Sequence, residues 1–108
     1  MAATPPNCLQ YNGLRVDAVQ NIATLQGREL ELTAKEFAIL LLLMEYPDKV
    51  FSKANLFESV WGGEYLNEDN TLNVHISNLR NKIKAVDPAG TYIDTVWGIG
   101  YRLHREKE

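Results

Sequence analysis

The stretch Asp69–Val86, DNTLNVHISNLRNKIKAV, constrains this chain more than any other. Leu72, Ile76, Leu79 and Ile83 recur at i, i+4, i+7 and i+11, so at 3.6 residues per turn four aliphatic side chains form one stripe. A helix with such a stripe has to lay it against a core. At about 100° per residue the opposite face is centred on Asn70, Val74, Ser77, Asn78, Asn81 and Lys84. Asn73 and Arg80 flank that face on one side, Thr71 and Lys82 on the other. No acid lies on it. Amides, hydroxyls, cations and one small apolar group are the chemistry that meets base edges and phosphates. They are also what an ordinary solvated helix face carries. Both readings stay open on this stretch alone.

The 108 residues suit one domain, and a 45% share of hydrophobic residues is enough for a core. The sequence predicts a tail or linker over residues 1–7, a domain over 8–105 and a C-terminal tail over 106–108. Cys8 is the single cysteine, so no internal disulfide forms, and with two separated histidines no usual zinc spacing exists. A reducing, cytoplasmic setting is expected. Met1–Asn7 lacks the apolar segment of a signal peptide. The longest apolar run, Ala38–Met44, is far short of the roughly 20 residues of a membrane span, so no membrane partner is expected. A net charge of −3 argues against a nucleic-acid partner if taken whole. By segment it reads otherwise. Glu58, Glu64, Glu68 and Asp69 form an acidic run without a cation, and Arg80, Lys82 and Lys84 follow without an acid.

Taken in order, residues 8–32 read as about four short antiparallel strands. Asn12-Gly13 and Gln26-Gly27 supply the tight turns, because both positions of such a turn need φ > 0. Cys8 has no basic neighbour in sequence, which favours a packing role over a reactive one. Thr33-Ala34-Lys35-Glu36 fits a capping box opening a first helix, with Phe37, Leu40, Leu41 and Met44 as its buried stripe and Tyr46-Pro47-Asp48 as its stop. Val50-Phe51 suggests a short strand. Ser52 caps a second helix carrying Leu56, Phe57, Val60 and Trp61, which Gly62-Gly63 ends. Asp69 is placed to cap the third helix and to set negative charge at its positive end. The second and third helices form a helix-turn-helix with a long turn. Asp87-Pro88-Ala89-Gly90 ends the third helix. Tyr92–Val96 and Tyr101–His104 then read as strands around Trp97-Gly98-Ile99-Gly100, a hairpin placed as a wing.

Four stretches in this order resemble the DNA-binding effector domain of OmpR/PhoB-type response regulators. They are Leu32-Thr33-Ala34-Lys35-Glu36-Phe37, Val60-Trp61-Gly62, Val74-His75-Ile76-Ser77-Asn78-Leu79-Arg80-Asn81-Lys82-Ile83, and Thr95-Val96-Trp97-Gly98-Ile99-Gly100-Tyr101-Arg102. The resemblance implies an α+β winged helix-turn-helix: an N-terminal four-stranded antiparallel sheet, three helices and a C-terminal β-hairpin wing. It implies the third helix in the major groove of double-stranded DNA, the wing at a minor groove, and a head-to-tail homodimer on direct repeats. It also implies a receiver domain in the full-length protein, phosphorylated on an aspartate that no acid of this chain represents. The family's base-reading positions fall on Asn73, Val74, Asn78 and Arg80, and its backbone-contacting positions on Thr71, His75, Ser77 and Lys84. Many members carry arginine where Ser77, Asn78 and Trp97 stand.

Arg80 is expected to read guanine or to bind phosphate, and Asn78 to read adenine, against the plainer readings of a surface ion pair and a solvated amide. Val74 fits a thymine methyl or a minor packing role. Asn81 shares the exposed face. His75 reads equally as a phosphate donor and as a half-buried structural histidine. Trp97 packs on the sugar-phosphate backbone or belongs to the hairpin core, and Arg102 is expected at a phosphate. The family uses the acidic loop to contact RNA polymerase, which points to Glu64, Tyr65 and Leu66; the plainer reading is a solvated connector. A winged-helix protein-interaction module is the alternative function. An enzyme is disfavoured, because no phosphate loop, metal-ligand set, cofactor motif or activated nucleophile is visible.

Overall fold

The computed structural model describes residues 8–66 and 70–104. Four short strands come first: β1 Cys8–Tyr11, β2 Leu14–Asp17, β3 Ile22–Leu25 and β4 Arg28–Leu30. They form one antiparallel meander in the order β1-β2-β3-β4. Its hairpins turn where the sequence allows a left-handed backbone. Asn12 and Gly13 have φ of 50° and 87°, and Gln26 and Gly27 have 52° and 81°. Alternation does the rest. Leu14, Val16, Ala23, Leu25 and Leu30 are buried on one face, in the register Leu14↔Leu25, Val16↔Ala23 and Ala23↔Leu30.

The first helix, α1, runs Ala34–Glu45 behind the predicted capping box. The Thr33 hydroxyl accepts from the Glu36 amide at 3.2 Å, and Glu36 Oε1 accepts from the Thr33 amide at 3.0 Å. A cap of this kind is worth ~1 kcal/mol. The expected stripe of α1 is corrected in part. Phe37, Leu40 and Met44 are buried, but Leu41 is only half-buried, while Ile39 and Leu43 are fully covered. The reason is tertiary: α1 lies against β1, the two later helices and the last strand at once, so its buried arc is wider and rotated from a single-sided stripe.

The second helix, α2, spans Lys53–Trp61. Ser52 Oγ accepts from the Asn55 amide, and Gly62 ends the helix at φ 80°. The third, α3, spans Thr71–Val86. Leu72, Ile76, Leu79 and Ile83 are all buried, as their spacing demands. Asn70 occupies its N-cap position and makes no side-chain cap bond; the expected cap Asp69 lies outside the described residues.

The wing is larger than a hairpin. Strands β6 Ile93–Val96 and β7 Gly100–Leu103 pair antiparallel, and β5 Phe51–Ser52 joins them in the order β5-β7-β6. β5 pairs through Phe51↔Tyr101 and Ser52↔Gly100. Gly100 makes that pairing possible: a Cβ there would stand 1.9 Å from the Phe51 carbonyl oxygen. The short strand read at Val50-Phe51 is therefore one residue further on, and it ties the start of α2 to the wing. The fold is the expected winged helix-turn-helix.

Candidate nucleic-acid interface

The buried stripe of α3 fixes what the helix shows to solvent. Val74, Ser77, Asn78, Asn81 and Lys84 are exposed, and Val74 keeps 53% of its surface. They form one acid-free strip along about three turns of helix. Lys84 stands in the last turn, where its charge also suits the negative end of the helix dipole. Thr71 and Asn73, at the N-terminal end, are half-buried.

The other two cations of α3 turn away from this strip. Lys82, expected at the flank of the exposed face, reaches α1 and donates to Glu36 Oε1 at 2.6 Å. Glu36 is only 2% exposed. Burial alone would raise its carboxyl. The hydrogen bonds from Lys82 and the Thr33 amide, aided by the charges of Lys82 and His75, hold it below the ordinary carboxylate value. The pair ties α3 to α1 beside the buried stripe.

Arg80, expected to lean outward, is half-buried and bonded to the wing. Its Nη2 donates to the Ile93 carbonyl at 3.1 Å and to Thr95 Oγ1 at 2.7 Å. Its guanidinium carbon lies 5.5 Å from the centre of the Tyr101 ring. The surface ion pair of the plainer reading does not form among the described residues. What remains of the guanidinium faces a shallow cleft of about 380 Å³ between α3 and the chain entering β6, which Ser77, Asn81 and Lys84 also line.

His75 has taken its structural role. Nδ1 donates to the Thr71 carbonyl at 2.7 Å, and the ring stands edge-on to Trp61 at 5.0 Å. With Nδ1 protonated, the neutral ring has no proton on Nε2 to give to a phosphate. Trp97 is 90% exposed at the wing turn, so the hairpin-core reading is wrong. Trp97 stands in the three-residue turn between Val96 and Gly100, and Ile99 in the same turn is itself 57% exposed. Arg102 sits opposite Asp94 in the wing register, with its Nη2 3.6 Å from that carboxylate. A groove of about 620 Å³ separates the wing from the start of α2, lined by Lys53, Tyr65, Asn73, Trp97 and Ile99 among others.

The loop after α2 holds a further correction. Tyr65 is not an exposed aromatic: its ring packs 5.5 Å from Phe57, beside the Phe57–Trp61 stack at 4.9 Å. Its amide donates to Glu58 Oε2 at 3.4 Å. Glu64 and Leu66 are exposed, and Leu66 keeps 62% of its surface. Cys8 is buried as a packing residue, yet it does have a basic neighbour. Arg15, across the first hairpin, donates from Nε to Sγ at 2.9 Å. Sequence adjacency could not reveal that contact, whereas the Asn12-Gly13 turn, by setting the register, could have.

Comparison with known proteins agrees with this arrangement. A family model described as "Transcriptional regulatory protein, C terminal" matches residues 27–103. The alkaline phosphatase synthesis transcriptional regulatory protein SphR of Synechococcus elongatus is 41% identical over 101 residues, which is 94% of this chain and 39% of that protein. The chain spans less than half the length of the curated relatives it matches. Among solved structures, the DNA-binding domain of CpxR from E. coli aligns with a TM-score of 0.80 at 31% identity, over 93% of this chain and 96% of that one. The Klebsiella pneumoniae RstA DNA-binding domain, solved in complex with the RstA box, aligns with a TM-score of 0.80 at 25% identity, over 89% and 95%. The chain belongs to the family of transcriptional regulatory protein C-terminal domains, the winged-helix DNA-binding effector domains of OmpR/PhoB-type response regulators.

Proposed function

We propose that residues 8–105 act as a sequence-specific double-stranded DNA-binding unit that controls transcription as the effector of a two-component response regulator. The carrying observation is the acid-free strip Val74, Ser77, Asn78, Asn81 and Lys84, held outward by a fully buried opposite stripe and flanked by the wing. An α-helix presented in this way fits the major groove. Asn73, Val74 and Asn78 are assigned to base edges, and Thr71, Ser77, Asn81 and Lys84 to the backbone. Arg80 presents its unbonded nitrogens to a phosphate rather than to a base, because two of its hydrogen bonds are spent on the wing. His75 reaches a phosphate only as the imidazolium. Trp97 meets the sugar walls of a neighbouring minor groove, with Arg102 at the phosphate beside it.

In this reading a receiver domain belongs to the full-length protein, which acts in the cytoplasm; no described helix is long and apolar enough to cross a membrane. Two copies sit head to tail on direct repeats, and the loop Glu64–Leu66 faces RNA polymerase. Selection of bound duplexes from a random pool tests the core of it. The expected product is a direct repeat with half-sites about one helical turn apart, so that both copies lie on one side of the duplex. Enrichment of inverted repeats at the same spacing would reject the head-to-tail arrangement. A protein-interaction module would enrich no sequence.

A further inference from the structure

Tyr101 is held from several sides in the wing. It lies on the central strand β7, opposite Phe51 on one side and Thr95 on the other, and is 6% exposed. The Arg80 guanidinium covers its ring at 5.5 Å and is itself anchored to Ile93 and Thr95. Swinging the ring away would give up that cation–ring contact and expose a ring that is now buried. The hydroxyl, so fixed, donates to Asn73 Oδ1 at 3.0 Å. Asn73 is the third residue of α3, half-buried, and lines the groove that faces Trp97 and Ile99.

A carboxamide offers an acceptor oxygen and an NH2 with two donors. Reading adenine bidentately uses both ends, the oxygen toward N6 and the nitrogen toward N7. We propose that Tyr101 is a positioning residue for sequence recognition: it takes one of the two lone pairs of the Asn73 oxygen and turns that oxygen toward the wing, so that Asn73 faces DNA with its NH2. The partners that suit the NH2 are acceptors: a phosphate oxygen, purine N7, guanine O6 or thymine O4. The wing thereby sets the preference of a residue on the groove helix without touching DNA at that place. The proposal rests on the DNA-binding reading above and deepens it.

The test uses the full chain and three variants, Tyr101→Phe, Asn73→Ala and the double variant. Phenylalanine keeps the ring and removes the hydroxyl. In the protein without DNA, Tyr101→Phe moves the Asn73 side-chain amide and carbonyl resonances. In selection from a random duplex pool, Tyr101→Phe raises the adenine preference about five-fold or more at the base pair where Asn73→Ala loses preference. In the Asn73→Ala background, Tyr101→Phe changes no base preference. A parallel loss of affinity for all duplexes with no change of preference would overturn the proposal, as would a shift that persists without Asn73. Unmoved Asn73 resonances would overturn it whatever the DNA does. A parent protein that enriches no duplex would instead sink the DNA-binding reading, with the resonances still reporting on the hydrogen bond.

Discussion

At the scale of residues, three cations on one helix have three different employments. Of the three, Lys84 alone is exposed on the candidate groove face. Lys84→Ala therefore removes one phosphate contact and little else. It should weaken all duplexes alike and lower the slope of log K against log[salt] by about one, measured by titration at several salt concentrations. Arg80 is different. Its alanine variant leaves the Ile93 carbonyl and Thr95 hydroxyl without a charged donor and uncovers the Tyr101 ring. Hydrogen bonds to charged groups contribute about 1.5–3 kcal/mol, so Arg80→Ala should cost about 1–3 kcal/mol of folding stability in urea. A variant with parental stability and a preference relaxed at a single base pair would show that Arg80 reads a base after all.

Between elements, the polar contact that joins α3 to α1 is the Lys82–Glu36 pair. The Glu36 carboxyl is buried while the Lys82 side chain stays 36% exposed, so the cost of breaking the pair falls on the carboxylate. Lys82→Met keeps the packing of the stem but strands that charge. The expected loss is about 1–3 kcal/mol at pH 7, below the value for a fully buried pair because water reaches the ammonium. The pH dependence follows from the lowered carboxyl of Glu36. A group lowered in the folded state stabilises fully above its unfolded value, near 4.3, and that stability is lost as the pH falls through the folded value. In Lys82→Met the buried carboxyl loses the group that lowers it, so the deficit should be largest near pH 7. It should begin to shrink above the ordinary carboxylate value, as the unpaired Glu36 takes up a proton, and stop shrinking once the pH has fallen through the lowered value of the parent. Urea midpoints between pH 3 and 7 measure it; a deficit that stays constant down to pH 3 would mean the pair does not act through the charge of Glu36.

For the whole molecule the low number of cations near the candidate interface, among the described residues, sets the binding regime. Lys53, Lys84, Arg80 and Arg102 are the cations placed around the strip and the wing. Neutralisation of four phosphates by these described cations gives a log–log salt slope of about −4 per copy. A single domain should therefore bind weakly, with affinity gained by pairing on repeats. A slope near −8 for one copy would mean that residues away from this face contact DNA. The acidic loop gives a separate expectation. Glu64→Lys, at an exposed position, should leave duplex affinity nearly unchanged and lower polymerase-dependent transcription on the same promoter fragment. Tyr65→Ala should instead lower stability, because that ring packs on Phe57. Normal transcription by Glu64→Lys would make the loop a connector only.

Much of this protein was written in local chemistry. The turns at Asn12-Gly13 and Gln26-Gly27, the capping box at Thr33, the stop at Gly62 and the stripe of α3 all depend on neighbours within a few residues, and all stand where spacing and turn preference put them. The four buried positions of α3 also dictated its outward face, because a helix that hides one side has no freedom about the other. What the sequence left open was set by residues far away along the chain. Lys82 turned inward because Glu36, forty-six positions earlier, needed a counter-charge. Arg80 turned to the wing because the Ile93 carbonyl and the Thr95 hydroxyl arrived beside it. Phe51 and Ser52 became a third wing strand because Gly100 let two backbones close. Tyr65 left solvent because Phe57 offered it a face. Periodicity fixes which side of a helix is buried. Only the packed molecule decides which long polar side chains at the border turn inward and which remain for a partner, since their reach of several ångströms lets either answer satisfy the local pattern.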